Sequence, residues 1–593
     1  MKTPMSRSTY RTLITVLVCA LGLMVQTQAL YAQSHLPSIE NPAQPFAFNK
    51  VGLSILKQID PNLTGENVNI AVVCRSLTYI NGLPQNDYRP DTSHNCLTTA
   101  RFNFHDQPDL PPGISPHSTA ICSILFGLDP FASHSSLGDF QYQGVVPNAQ
   151  GNIYELWHFL KNNVHPQIAP NAQIITASFG IEREDWWTRG IESMAQHDGI
   201  LVIAGIGNGT NVYHPPLYPG ASANTIGVGV VNSVAVEDLA TKLANFALVY
   251  PENSSCGPTT SRRCKPDIVA PGNCLVARAG EPETYEPTGD FSSFATPMVA
   301  GAAGLLIQKA MQEPELYPAI SPKAGNCVIK AILLNSATKL PFWHKGRLST
   351  EDDHTAPLDY IQGAGMLNAL NAYLHLISGR SNPGNVMAIG WDNNMLQAER
   401  NPDNTYRFNI DEPTDEVITV TAVWNKHYSR IYPFNPQPKK DADMRLELWA
   451  IDSNDPNSAY LLDYSDSTVD NVEHICVAAD PNCTEYEIVL SLNNADDQET
   501  QADAIQRYGL AWSVGKSQNG SNIHWYDLNA DGVVDKDDLA MLIGYCVESK
   551  QSDSNYMIGD VNADGMIDTN DVQVLMDHAN TRADWRAEQP GEL

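Results

Sequence analysis

The chain of 593 residues carries 36 Lys and Arg against 67 Asp and Glu, a formal net charge of -31. So acidic a chain excludes nucleic acid and anionic membrane surfaces as partners, because both are held by basic patches. Its length exceeds what one hydrophobic core serves and predicts three or four folding units.

Lys2, Arg7 and Arg11 precede an apolar run from Leu13 to Val25, with Ala29 and Ala32 just beyond. This is the pattern of a secretory signal peptide over 1–32, its apolar part too short to cross a bilayer, and no later stretch reads as a membrane span. Export puts the chain where disulfides form, and setting Cys19 aside leaves ten of the 11 cysteines. The short spacings Cys256 to Cys264 and Cys476 to Cys483 predict two local staples. Residues 33–61 form a polar, proline-containing N-terminal segment, too short for a folding propeptide.

Over 62–377, apolar runs of strand length (Ile70 to Val73, Ile174 to Ala177, Ile200 to Ala204, Thr225 to Val231) alternate with helical stretches such as Ile191 to His197 and Val299 to Lys309. Such alternation predicts an α/β unit, a parallel sheet with helices on both faces. Beyond Asn382 the helical period gives way to two-residue alternation in Val417 to Trp424, Met444 to Ile451, Tyr486 to Leu492 and Tyr508 to Val514, which predicts a β-sandwich over 382–516. A polar linker, Ser517 to Asn522, follows.

Hydrolysing a peptide bond with serine takes a hydroxyl nucleophile, an imidazole base, a carboxylate to orient it, and donors for the oxyanion. Candidates occur in order as Pro116-His117-Ser118-Thr119-Ala120, Ala177-Ser178-Phe179-Gly180, Ala204-Gly205-Ile206-Gly207-Asn208 and Ser292-Ser293-Phe294-Ala295-Thr296-Pro297-Met298-Val299-Ala300-Gly301. These resemble the H-G-T-x-V-A, S-L-G, A-x-G-N and G-T-S-M-A-T-P-H-V-A-G segments of subtilisin-like serine proteases. Gly144-Val145-Val146-Pro147, Tyr218-Pro219-Gly220 and Lys265-Pro266-Asp267-Ile268-Val269-Ala270-Pro271-Gly272 also match the family. The resemblance implies a subtilisin-like fold, a polypeptide substrate, Ser293 as nucleophile, His117 as base, Asn208 as oxyanion donor, and the 177–180 segment as an edge for an extended substrate.

The match breaks at the first strand. Where the family has D-[ST]-G this chain reads Cys74-Arg75-Ser76, so Cys74 stands at the orienting aspartate's place. Asp87, Asp91, Asp106 and Asp109, in the loop before His117, are the carboxylates that could fold back. Ser118 and Phe291 replace two family glycines, with crowding of the site the expected result. Cys74 is expected to be bonded to Cys96, with Cys122 the rival partner. Two functions follow: a secreted endopeptidase with an altered triad, or a pseudoprotease whose cleft binds polypeptide without cutting it.

The C-terminal segment, 523–593, holds a repeat. Asp527, Asn529, Asp531 and Asp538 occupy positions 1, 3, 5 and 12 of a loop turning at Gly532, and Asp560, Asn562, Asp564 and Asp571 recur around Gly565. With the Val533 and Met566 carbonyls, each set offers the hard oxygens that calcium requires. Each loop runs into an apolar-striped helix, through Leu539, Leu542 and Ile543, then Val572, Leu575 and Met576. Aspartate at position 12, and little room for a helix before each loop, resemble a dockerin, which implies calcium and a cohesin-type partner. Lys536 with Asp537 and Thr569 with Asn570 stand where cellulosomal dockerins often carry small hydroxyl residues, so docking within the same chain is the other expectation.

Overall fold

The computed structural model describes residues 51–134, 138–209, 215–231, 254–340, 343–346, 354–398, 400–414, 416–452, 458–493 and 505–516, with isolated helical stretches near 47, 540 and 573. The signal peptide, the linker and nearly all of the calcium-loop ligands lie outside the described residues.

Seven strands form one fully parallel sheet: β1 (Asn69–Cys74), β2 (Arg101–His105), β3 (Gln150–Glu155), β4 (Ile174–Ala177), β5 (Leu201–Gly205), β6 (Thr225–Val231) and β7 (Ile268–Pro271), in the order β7-β6-β5-β4-β1-β3-β2. The central strands are buried on both faces, which is why they read as unbroken apolar runs. Alternate residues of β1 show the layering. Ile70, Val72 and Cys74 enter the core shared with helices α1 (Pro116–Phe126) and α2 (Ser292–Gln312). Ala71 and Val73 face the opposite core, beneath Trp187, Ile191 and Met194 of a helix over Trp186–Asp198. Helices therefore cover both faces, as the alternation predicts.

Under the sheet lies a charged network. Asp267 accepts from Lys265, from Lys330 at 2.7 Å and from the Gly227 N–H at 2.7 Å, with all three side chains almost fully buried. Two cations and a backbone donor hold the carboxylate charged despite burial, so its pKa falls below the ordinary range.

The segment after Asn382 forms two further sheets. One, ordered 384–385, 403–409, 483–492, 444–452, 459–465, faces another ordered 390–397, 505–516, 416–424, 472–478. Their inner residues, including Trp424, Tyr406, Leu448, Ile488 and Trp512, make a core of their own. The sandwich is also joined to the parallel-sheet unit: Trp391, Val423, Val472 and Ala511 belong to that unit's large core. Gly509 lies so close to the backbone at Cys327 and Val328, in the helix over Gly325–Asn335, that any Cβ there would collide with it.

Candidate active site

Three strands end and two helices start at the carboxyl edge of the sheet: β1 ends at Cys74, β4 before Ser178 and β5 before Asn208, and α1 and α2 carry His117 and Ser293 in their first turns. Ser293 is the second residue of α2, so its N–H has no acceptor inside the helix. Phe291, at the N-cap, has no side-chain acceptor to cap the helix. The cap comes from another strand instead: Asn208 Oδ1 accepts from the Ser292 N–H at 2.7 Å and from its hydroxyl at 2.9 Å. With its oxygen so engaged, the exposed Asn208 side chain is left with its NH2 group free of partners among the described residues.

Pro297 explains a second feature. It lacks the N–H that would bond the Ser293 carbonyl four residues back, so that carbonyl is available, and the Ser178 hydroxyl takes it at 2.8 Å. In return Ser293 Oγ donates to the Ser178 carbonyl at 3.2 Å. Ser178 thus ties the 177–180 segment to the predicted nucleophile, a role the S-x-G motif alone does not reveal.

His117 starts α1 behind the cap Ser115, whose hydroxyl accepts from the Ser118 N–H at 3.2 Å. Its ring packs against Phe294, centroids 5.9 Å apart, and makes no hydrogen bond among the described residues. The side chain is exposed, yet the protein atoms around it hinder hydration of the charged ring and lower its pKa below the ordinary 6.5, with no charged neighbour contributing. Among the described residues no carboxylate reaches it. Asp87 accepts from the Thr78 hydroxyl at 2.7 Å, Asp91 from the Ser93 hydroxyl at 2.6 Å and the Gly280 N–H at 2.8 Å, Asp106 pairs with Arg89, and Asp109 sits in an exposed turn.

Cys74 ends β1 as a buried thiol whose partner is the Ser118 side chain, and burial pushes its pKa up to about 11. It is therefore a neutral group at working pH. Beside it in register on β3 is Glu155, fully buried, held by the Ser76 hydroxyl at 3.1 Å and the His158 N–H at 2.9 Å. Desolvation raises the Glu155 pKa. Sequence patterning gives this carboxylate no prominence, because it lies in a strand without a family motif.

Among the described residues none of the expected disulfides is formed: Cys74, Cys96, Cys122, Cys264, Cys274, Cys327 and Cys476 are free thiols, so neither the Cys74–Cys96 bond nor the staples that would use Cys264 and Cys476 are closed. Cys96 is directed to the Tyr285 hydroxyl rather than to Cys74. Cys122, one helical turn beyond Ser118, lies near both thiols without bonding either. Cys476 follows the inward-facing Ile475 on its strand and so points away from the sandwich core, whereas Cys483 is buried inside it. Cys264 is buried, its N–H bound to the Asp470 carboxylate at 3.0 Å, while Cys256 lies at the margin of the large core.

The expected crowding is also relieved. Phe291 has φ -124° and ψ 135°, extended backbone that any residue adopts, and its side chain is 47% exposed. Gly272 and Gly289 make room for it: a Cβ on either would come within 2.7 Å of Phe291 atoms. Ser118 sits inside a helix, where glycine is not required.

The subtilase family model matches residues 53–365, and a dockerin type I domain model matches residues 525–580. Serine protease AprX of Bacillus subtilis (strain 168) is 32% identical over 206 residues, which cover 32% of this chain and 39% of that protein. C5a peptidase of Streptococcus pyogenes is 33% identical over 132 residues, 22% of this chain and 10% of that protein. The chain thus spans less than half the length of these curated relatives. Among solved structures, the self-cleaved protease domain of PatA matches with 22% identity and a TM-score of 0.35, over 54% of this chain and 100% of that one. The family model covers more than half of the 593 residues, and the chain belongs to the subtilase family.

Proposed function

We propose that the chain is a secreted serine endopeptidase with an altered triad, carrying a calcium-dependent attachment module. Ser293 Oγ attacks the scissile carbonyl and passes its proton to His117. The free NH2 of Asn208 and the Ser293 N–H hold the oxyanion. His117 then protonates the leaving nitrogen as the C–N bond breaks, and a water deprotonated by His117 releases the acyl group. The observation that carries this reading is the Asn208 cap on α2, which fixes an amide donor beside the nucleophile before substrate arrives. Without an orienting carboxylate, turnover is expected to lie roughly 10⁴ below that of an intact triad. Fluorophosphonate labelling and casein hydrolysis by the mature chain, both lost in Ser293→Ala, test it; an unlabelled wild type overturns it.

One observation favours the second reading, a pseudoprotease that holds extended polypeptide. Ser293 Oγ donates to the Ser178 carbonyl and His117 makes no hydrogen bond among the described residues, so the serine proton must leave the Ser178 carbonyl before it can pass to His117. Peptide binding by a chain that resists the fluorophosphonate would select it.

The division into a subtilisin-like unit over 62–377, a sandwich over 382–516 and a dockerin-like unit over 523–593 is part of the proposal, as is export directed by 1–32. The oxygen donors of 527–538 and 560–571 fit calcium by their chemistry, and calcium would fold those loops. A cohesin-type protein is the proposed partner of that unit.

A further inference from the structure

The residue two before Ser293 is Phe291, whose ring is almost half exposed although it stands beside a predicted nucleophile. It meets Phe294 at 6.2 Å between centroids and 67° between planes, and Phe294 in turn meets His117 at 5.9 Å. The three rings form a row that begins at the base and runs along the start of α2, on a floor that Gly289 keeps open.

Which half of a bound peptide faces this row follows from the chemistry of the proposed reaction. The oxyanion must lie at Asn208 and the departing nitrogen must lie at His117, because His117 gives it a proton. The residue whose nitrogen departs is therefore the one that meets Phe294 and Phe291. We infer that Phe291 and Phe294 form an aromatic wall that selects a large apolar or aromatic residue immediately after the scissile bond. Such a side chain buries area against the exposed ring and gains edge-to-face contact, glycine gains neither, and an acidic side chain loses water against carbon.

This assignment rests on the reading of Ser293 and His117 as nucleophile and base, so the experiment separates the two. Peptides with one acyl half and Phe, Gly or Glu after the scissile bond are compared by kcat/KM in wild type, Phe291→Gly and Phe291→Tyr. The same peptides are compared by Kd on Ser293→Ala and on Ser293→Ala with Phe291→Gly. The Phe peptide should lead the Gly peptide by about 10-fold in wild type, keep that lead in Phe291→Tyr and lose it in Phe291→Gly, with the same ordering in Kd. A preference unchanged by Phe291→Gly overturns the assignment. Should wild type neither cleave nor take a fluorophosphonate, the protease reading falls, and the Kd series alone decides: a Phe291-dependent preference sustains the wall and its absence overturns it.

Discussion

The Cys74 thiol lies against the Ser118 side chain, a neighbour that works against burial in setting the thiol's pKa, at the point where β1 ends and α1 begins. Two departures from the family pattern are thus one physical unit: a hydroxyl in place of a glycine hydrogen faces a thiol in place of a carboxylate. Restoring one without the other leaves a mismatched pair.

Cys74→Asp made with Ser118→Gly should therefore raise peptide hydrolysis above Cys74→Asp alone, by up to about 10⁴-fold over wild type if His117 orientation is all that is missing. Glu155 stands beside that position, and two buried carboxylates side by side cannot both ionise. Adding Glu155→Gln should increase the gain further. A triple variant that folds but shows no increase in kcat/KM refutes the account.

Asn208→Leu should lose the helix cap and the oxyanion donor together. The drop in kcat is expected at about 10² to 10³, with KM less affected, since the oxyanion exists only along the reaction path. A change in KM alone would assign Asn208 to ground-state binding.

The acid limb of kcat/KM should have its midpoint below 6.5, since the active form of His117 is neutral and its pKa is lowered from that value. Fluorophosphonate labelling rates across pH 4 to 8 provide the check; a midpoint above 6.5 would demand an anionic neighbour that the structure lacks among its described residues.

Buried His375 has its pKa lowered from 6.5 to about 4 by desolvation, and its ring is bonded to the Ser336 hydroxyl and the Gly390 carbonyl. The unfolded chain takes the proton first. This contribution to stability is complete above pH 6.5 and is lost as pH falls toward 4, by about 3 kcal/mol. Denaturant unfolding of wild type and His375→Gln should show a smaller fall over that window in the variant. Parallel slopes would exclude His375 as the source.

Chelator should melt 523–593 selectively in the intact chain, seen as new proteolytic cuts confined to that segment while the remainder stays protected. Native alkylation should spare the buried Cys74, Cys96 and Cys122 and modify all three after unfolding; a Cys74–Cys96 disulfide peptide would contradict the free-thiol arrangement.

The sequence by itself determined the parallel sheet, because strands buried on both faces must be apolar throughout, and it determined the order of His117, Asn208 and Ser293, because each lies within a local motif at an element's end. It also located Cys74, through strand register alone. Only the tertiary structure decided what those residues touch. That Asn208 caps α2, that Ser178 takes the carbonyl freed by Pro297, that no aspartate of 87–109 reaches His117, and that Cys74 meets Ser118 rather than Cys96 are all contacts between distant segments. Hydrophobic periodicity records which face of an element is buried and is blind to which polar atom lies opposite, since a hydrogen bond depends on tenths of an ångström that only the packed chain sets.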